Sequence, residues 1–393
     1  MSRNVIAVHA GEQPPESYDA SIFLCGPTPR TNDVDSWRPE ALAELCARWH
    51  GDGDLVVFVP EPRNGERWPA HDTNRVWELH WGDRADVALF WIPRGHGLPG
   101  FTTNDEFGHW KDSGRAVLGT PPSADHAGYQ RDYATDTGIP LADDLSGTVS
   151  LALDHIGPGA RRTGGQRHAP LLLWRTSSFQ NWLTAQETAG NQLRSGRLEW
   201  TFRVGPDRDI VLFWAFHAVI WIAAEQREKA NEVVLSRPDL STVVAYHRAP
   251  ELANSEIVLV REFRSPATTA DGFVRELPGG SSLAPSSPSE QAVAELAEET
   301  GITVAPDRVH LHHARQPTAT LSGHQQHVFA VELTPDELDL ARSDRRTHGV
   351  AGDTEHTHVE VHRYADLLAA PTVDWATLGA ITSVLLTDQE PRA

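Results

Sequence analysis

The chain reads as two α/β units in succession: a doubly wound parallel sheet, then a second unit richer in strands. Three observations predict this. Short apolar runs at residues 21–25 (SIFLC), 55–59 (LVVFV), 87–92 (VALFWI) and 116–118 (AVL) alternate with helical stretches, as expected of parallel strands buried on both faces. From about residue 169 the runs become longer and richer in aromatic and β-branched residues, the composition of antiparallel or mixed sheets. The 393 residues, 39% of them apolar with thirteen Trp, suffice for two cores.

Residues 1–18 read as a short disordered or edge segment ahead of a first domain spanning 19–157. Strand 21–25 ends in the turn Gly26-Pro27-Thr28-Pro29-Arg30, and Ser36 with an early Pro39 opens a helix that runs to Trp49. Strand 55–59 is followed by Pro60-Glu61-Pro62-Arg63, a helix over 74–84 and strand 87–92. A helix over 101–112, strand 116–118 and a helix over 146–155 complete the domain. Residues 158–168, rich in Gly and Arg, read as a linker to a second domain over 169–393. There, 171–174, 198–204, 211–222, 241–247, 256–264, 310–313, 325–331 and 358–362 read as strands, and 178–193 and 375–386 as helices.

The formal net charge of −20, with no basic patch interleaved with aromatics, argues against a nucleic-acid polymer as partner. No run approaches the roughly 18–20 apolar residues of a membrane span. The first residues lack the layout of a signal peptide. Cys25 and Cys46 are too few for a disulfide framework, and a reduced, cytoplasmic protein is expected.

In an open α/β sheet, ligands sit beyond the carboxyl ends of the strands. That rule gathers Gly26, Pro27, Thr28 and Arg30, then Arg63, Arg94, Thr102, Thr103 and Glu106, around one crevice. Breaking an N-glycosidic bond builds positive charge at the sugar carbon. One carboxylate attacks or stabilises that carbon, and a second acid protonates the leaving base. Threonine hydroxyls and arginines suit sugar hydroxyls or a 5′-phosphate, and Trp77, Trp91 and Trp110 offer faces to stack a base. Asp86, ahead of the third strand, is counted among the orienting groups.

The segments FLCGPTPR, SWRPEAL, VFVPEPR, ALFWIPR and GFTTNDEFG follow one another over about residues 20–160, and in this order they resemble the nucleoside 2-deoxyribosyltransferase-like family. Thr103, Glu106 and Gly108 fit its T-x-x-E-x-G element, so the resemblance makes Glu106 the nucleophile and Glu78, on the preceding helix, the second acid. Where the transferases carry an Asp six residues before the nucleophile, this chain has Gly100, a departure that favours hydrolysis over base transfer.

Farther along, Glu295, Glu298 and Glu299 are spaced to share one helix face. Crowded carboxylates of this kind suit a hard cation, Mg²⁺ or Mn²⁺. The stretch 276–302 (ELPGGSSLAPSSPSEQAVAELAEETGI) resembles the Nudix box: Gly280, Glu295, Leu296, Glu298, Glu299, Gly301 and Ile302 fit it, while Ser286 and Ala294 replace its early Glu and its Arg. With VLVREFRSP ahead of it, the likeness is to the ADP-ribose-pyrophosphatase branch. It implies an α+β fold whose mixed sheet is sandwiched by helices, metal-dependent hydrolysis, a homodimer, Arg261, Arg264 and Glu276 near a diphosphate, and Glu355 as a catalytic base or further ligand. The expectation is a two-domain nucleotide-processing enzyme: one half hydrolyses a nucleoside diphosphate derivative, and the other cleaves the glycosidic bond of a nucleoside monophosphate. Two alternatives stay open. One is a nucleotide sensor or scaffold with an inactive Nudix half. The other is a glycosidase or base transferase that uses that half only to dimerise.

Overall fold

In the computed structural model, residues 4–29, 33–63, 71–206, 208–281, 287–349 and 356–387 are described, with the backbone alone for 71–74. The chain divides into Met1–Ser236 and Arg237–Ala393. Both units are mixtures of helices and sheets, and the first contains a fully parallel sheet.

In the first unit the strands β1 (Val5–His9), β2 (Ser17–Tyr18) and β3 (Ala20–Cys25) lead to helix α1 (Arg38–Arg48). Then follow β4 (Leu55–Val59), α2 (His71–Gly82), β5 (Val87–Trp91), α3 (Phe101–Trp110), β6 (Ala116–Gly119), α4 (Gly128–Thr137), β7 (Leu141–Ala142) and α5 (Leu145–Ile156). The parallel sheet has the order β1-β4-β3-β5-β6-β7. Successive side chains of β3 go to opposite faces. Ile22 and Leu24 join Ala41, Leu45, Val149 and Ala152 on the α1/α5 side, while Phe23 and Cys25 join Trp77, Phe107 and Trp110 on the α2/α3 side. Helices therefore cover both faces. The order reverses at β3, between β4 and β5, and this is the switch point where such sheets open a crevice.

The stretch expected to be a linker is packed structure. It forms β8 (Arg162–Thr163), paired with β2, and a short 3₁₀ turn. The physical reason is Arg162, whose fully buried guanidinium meets Asp86, 76 residues earlier, at 2.6 and 2.7 Å. The apolar run 171–174 is a short helix, α6 (Leu171–Trp174), rather than a strand. Helix α7 (Ser177–Thr188) follows, then a three-stranded antiparallel sheet of β9 (Gln192–Val204), β10 (Ile210–Ile222) and β11 (Arg227–Ser236). One face of this sheet packs Trp214 and Phe216 on Phe179 and Trp182 of α7. All of this belongs to the first compact unit, so the division between units falls after Ser236 and not near 158–168.

The second unit contains β12 (Leu240–His247), β13 (Glu256–Phe263), β14 (Phe273–Glu276), β15 (Gly279–Gly280), α8 (Pro288–Thr300), β16 (His310–Arg315), β17 (Gln326–Glu332), α9 (Pro335–Ser343), β18 (His358–Arg363), α10 (Tyr364–Leu367) and α11 (Trp375–Thr387). Its sheet is mixed: β12 runs parallel to β17 and antiparallel to β13 and β15. Ala292 and Leu296 of α8 pack on Val243 and Phe329 at one face. Ile381, Val384 and Leu385 of α11 pack on Val244 and Leu259 at the other.

Candidate active site

The turn after β3 is shaped by close approach. Gly26 has φ +149°, and a Cβ there would stand 2.3 Å from the Trp91 carbonyl oxygen. The Pro27 carbonyl accepts from Trp37 Nε1 at 3.1 Å. Beneath this turn lies Arg38, 2% exposed and in the first turn of α1. It donates to Gly26 O at 2.8 Å, to Thr28 Oγ1 at 3.3 Å and to Glu61 Oε1 at 2.6 Å. Ser36 Oγ holds the Glu61 carboxylate from the other side, at 2.8 and 3.0 Å. Arg38 thus ties the ends of β3 and β4 together. Sequence reasoning did not single it out, yet a signal was present: a cation in the first turn of a helix opposes the helix dipole and needs a partner.

Across the switch point, Gly100 precedes α3 with φ +62°, a left-handed conformation that favours glycine. Thr103 and Glu106 lie three residues apart and so share a face of α3. Thr103 is fully buried, and its Oγ1 has no hydrogen-bond partner among the described residues. Nor does the Nε of Arg38 or of Arg94. Glu106 is partly buried. Burial pushes its carboxyl up to about 8, the charge of Glu78 adds to the rise, Arg38 opposes it, and Asp105 adds a little more. The effects of Glu78 and Arg38 on Glu106 bring α2, α1 and α3 to one locus at the carboxyl end of the sheet. Thr102 is exposed next to it. Arg94 donates to Asn104 Oδ1 at 2.6 Å and to the His126 carbonyl at 2.8 Å, so it braces the start of α3.

Other expected residues are placed differently. Asp86, expected among the orienting groups at the crevice, is bonded within the fold at the amino end of β5. Its buried carboxylate accepts from Ser21 N at 2.7 Å, Ser21 Oγ at 2.9 Å, Leu171 N at 2.7 Å and both terminal nitrogens of Arg162. Arg63 is clamped to Glu12 by two 2.8 Å contacts and to the Ala7 carbonyl at 3.0 Å, tying its loop to β1. Trp77, Trp91 and Trp110 are core side chains, 7%, 8% and 2% exposed, rather than open stacking platforms. Arg30 lies outside the described residues.

In the second unit, α8 begins with a capping box: Ser287 Oγ accepts from Glu290 N at 3.2 Å, and Glu290 accepts from Ser287 N at 3.0 Å. The helix ends at Gly301, φ +69°. Glu299 is 2% exposed, and its Oε2 accepts from Gly279 N at 2.8 Å. Glu295 stands over the neighbouring glycine, where a Cβ on Gly280 would lie 2.3 Å from its Oε1. Glu298 and Ala294 are exposed. Two of the three carboxylates therefore converge on the Gly279-Gly280 backbone, and the third lies on the outer face. Among the described residues no three His, Cys, Asp or Glu form a metal-ligand cluster. Arg264 pairs with Glu276 at 2.9 Å and with Glu262 at 2.8 Å. Arg261 pairs with Asp271 at 2.9 Å, its guanidinium 3.8 Å from the centre of the Phe273 ring. Ser286 and Glu355 lie outside the described residues.

No family model matches the sequence, and no curated protein matches it. No helix among the described residues is long and apolar enough to cross a membrane.

Proposed function

We propose that the first unit cleaves the N-glycosidic bond of a nucleoside monophosphate at the crevice around Glu106. The observation that carries this reading is the Glu106 carboxyl, raised to about 8 beside Glu78 at the switch point of a parallel sheet. A carboxyl with raised proton affinity that interacts with a second carboxyl group is what acid and nucleophile roles call for. Glu106 in its protonated form is suited to give a proton to the leaving base. In its ionised form, favoured by Arg38, it is suited to the sugar carbon. Thr103 Oγ1, buried without a partner among the described residues, is a ready hydrogen-bond donor for a sugar oxygen. Thr28 and Thr102 flank it, and the likeness to the deoxyribosyltransferases agrees with this assignment.

The second unit is read as a divalent-cation-assisted hydrolase of a nucleoside diphosphate derivative, related to the Nudix enzymes. Glu295, Glu298 and Glu299 would hold Mg²⁺ or Mn²⁺, which when bound neutralises diphosphate charge and activates water. The glycine pair lets Glu295 approach the backbone, and Glu299 fixes that backbone through Gly279 N–H. A binding-only role for this unit is favoured by Ala294, which leaves Glu295 without the arginine neighbour of the Nudix box. A homodimer is supported by the outer face of the three-stranded sheet: Trp200, in register with Ala215 and Leu235, is 54% exposed, with Phe202 and Val233 nearby.

The test is to incubate the chain with nucleoside monophosphates and nucleoside diphosphate derivatives, with and without Mg²⁺, and to follow free base and phosphate esters by chromatography. Glu106→Gln is expected to abolish base release and leave diphosphate cleavage intact. Base release at the wild-type rate in that variant refutes the assignment.

A further inference from the structure

The amino ends of the parallel strands enclose a cavity of about 620 Å³. It lies at the end of the sheet opposite Glu106, and strands of four to six residues separate the two by roughly 13–20 Å. Its volume is that of a small-molecule pocket. Ile139, Leu172 and Val211 give it an apolar wall. Three arginines face it from two segments far apart in sequence: Arg175 after α6, and Arg203 and Arg208 from the β9–β10 hairpin.

The nearest acids act on these cations only at longer range, Asp86 on Arg175 and Asp112 on Arg203. Among the described residues no carboxylate stands within ion-pair distance of Arg175, Arg203 or Arg208. The acids that line the cavity are largely committed elsewhere: Asp86 to Arg162, and Asp112 to Lys111 at 3.3 Å and Tyr133 at 2.5 Å. Asp209 remains, exposed at the hairpin turn. Arg203 is nevertheless held in place. It donates to the Arg208 carbonyl at 3.0 Å and to the Asp112 carbonyl at 3.4 Å. Its guanidinium lies flat against Gly114, φ +75°, where a Cβ would come within 2.6 Å of Cζ. Burial, then the neighbouring Arg208, pulls the Arg203 guanidinium below its ordinary range, and burial does the same to Arg175. A bound anion relieves both effects. Planar guanidinium forks match the paired oxygens of a carboxylate or phosphate.

We propose that this cavity is a second ligand site, which takes a small organic anion: a phosphate ester or carboxylate headed toward Arg175, Arg203 and Arg208, with an apolar body against Ile139 and Leu172. The site is independent of the glycosidase reading, since it shares no residue with the Glu106 crevice.

Calorimetric titration of the full chain at low ionic strength with phenyl phosphate, benzoate and, as the uncharged control, phenol tests it, none of which carries the N-glycosidic bond read by the Glu106 crevice. Phenyl phosphate binding alone points to a phosphate ligand and benzoate binding alone to a carboxylate. Affinity is expected to fall as salt rises, and Arg175→Met or Arg203→Met to weaken binding by about tenfold each, the worth of one charge-assisted hydrogen bond. Arg208→Glu, at an exposed turn, is expected to do the same and serves if the other variants fail to fold. Glu106→Gln is expected to leave this binding unchanged while removing base release, so the two claims fail separately. No binding of either anion at millimolar concentration overturns the proposal. So does binding that Arg208→Glu leaves at wild-type strength.

Discussion

A carboxyl group that keeps its proton near neutral pH makes folding itself pH-dependent, and Glu106 is such a group. Its folded-state value, about 8, lies above the ordinary 4.5. Between those values the folded chain holds a proton that the unfolded chain has lost, so stability falls as pH rises through that window. Glutamine carries no such penalty. Glu106→Gln is therefore expected to unfold together with wild type at about pH 4 and to be more stable by roughly 1–3 kcal/mol at about pH 9. Thermal melts of the two proteins across that range check the sign. The same titration separates the chemical roles: base release that falls above about pH 8 marks Glu106 as the acid, and a rate that rises marks it as the nucleophile. Asp86 makes the contrasting case. With its carboxylate bonded to Arg162, Ser21 and Leu171, Asp86→Asn leaves a buried guanidinium without its counter-charge and is expected to cost about 3–5 kcal/mol. A double change to Asp86→Leu with Arg162→Met should recover much of that loss. Denaturant unfolding measures both.

At the scale of elements, β3, β4, β5 and β6 were legible because each is a short apolar run followed closely by Gly or Pro. Helix α8 was legible through the spacing of its carboxylates and its closing glycine, and Thr103 with Glu106 were singled out by their likeness to the T-x-x-E-x-G element. What was not legible depended on distant partners. LLLW at 171–174 fits strand or helix equally; Pro170 at its cap and the Leu171 N–H bond to Asp86 settle it as helix. VIAVH at 5–9, read as part of a disordered or edge segment, is the edge strand of the parallel sheet, paired with β4. β11, largely polar and exposed, gives no alternation strong enough to read. Arg38 carried a signal only in its conflict with the helix dipole, and the arginines of the amino-end cavity carried none, since residues 175 and 203 meet only in the fold. The capping box yields a prediction at this scale. Ser287→Ala removes the acceptor for Glu290 N and should destabilise the second unit by about 1 kcal/mol. Gly280→Ala should do more to function than to stability, because the added methyl displaces Glu295. Mn²⁺ binding followed by electron paramagnetic resonance is expected to weaken in Gly280→Ala and to persist in Ser287→Ala.

For the whole molecule, the position of the division between units decides which pieces stand alone. Composition alone places the break in the Gly- and Arg-rich residues 158–168. In the fold those residues complete the first unit: Arg162 neutralises Asp86, Arg161 bonds Asp19 at 2.8 Å, and β8 pairs with β2. A fragment ending at residue 157 would keep the Asp86 carboxylate buried and remove its counter-ion, leaving an uncompensated charge in the core. It would also lose Leu171, whose side chain belongs to the α1/α5 core. A fragment ending at Ser236 keeps all of these contacts. Fragment 1–236 is therefore expected to fold cooperatively and to retain base release, and fragment 1–157 to be insoluble or to lack a cooperative transition. Circular dichroism melts and a base-release assay on the two fragments distinguish these outcomes. If 1–157 melts cooperatively near the temperature of 1–236, the Asp86–Arg162 pair is not what closes the first unit, and residues 158–168 act as a linker after all.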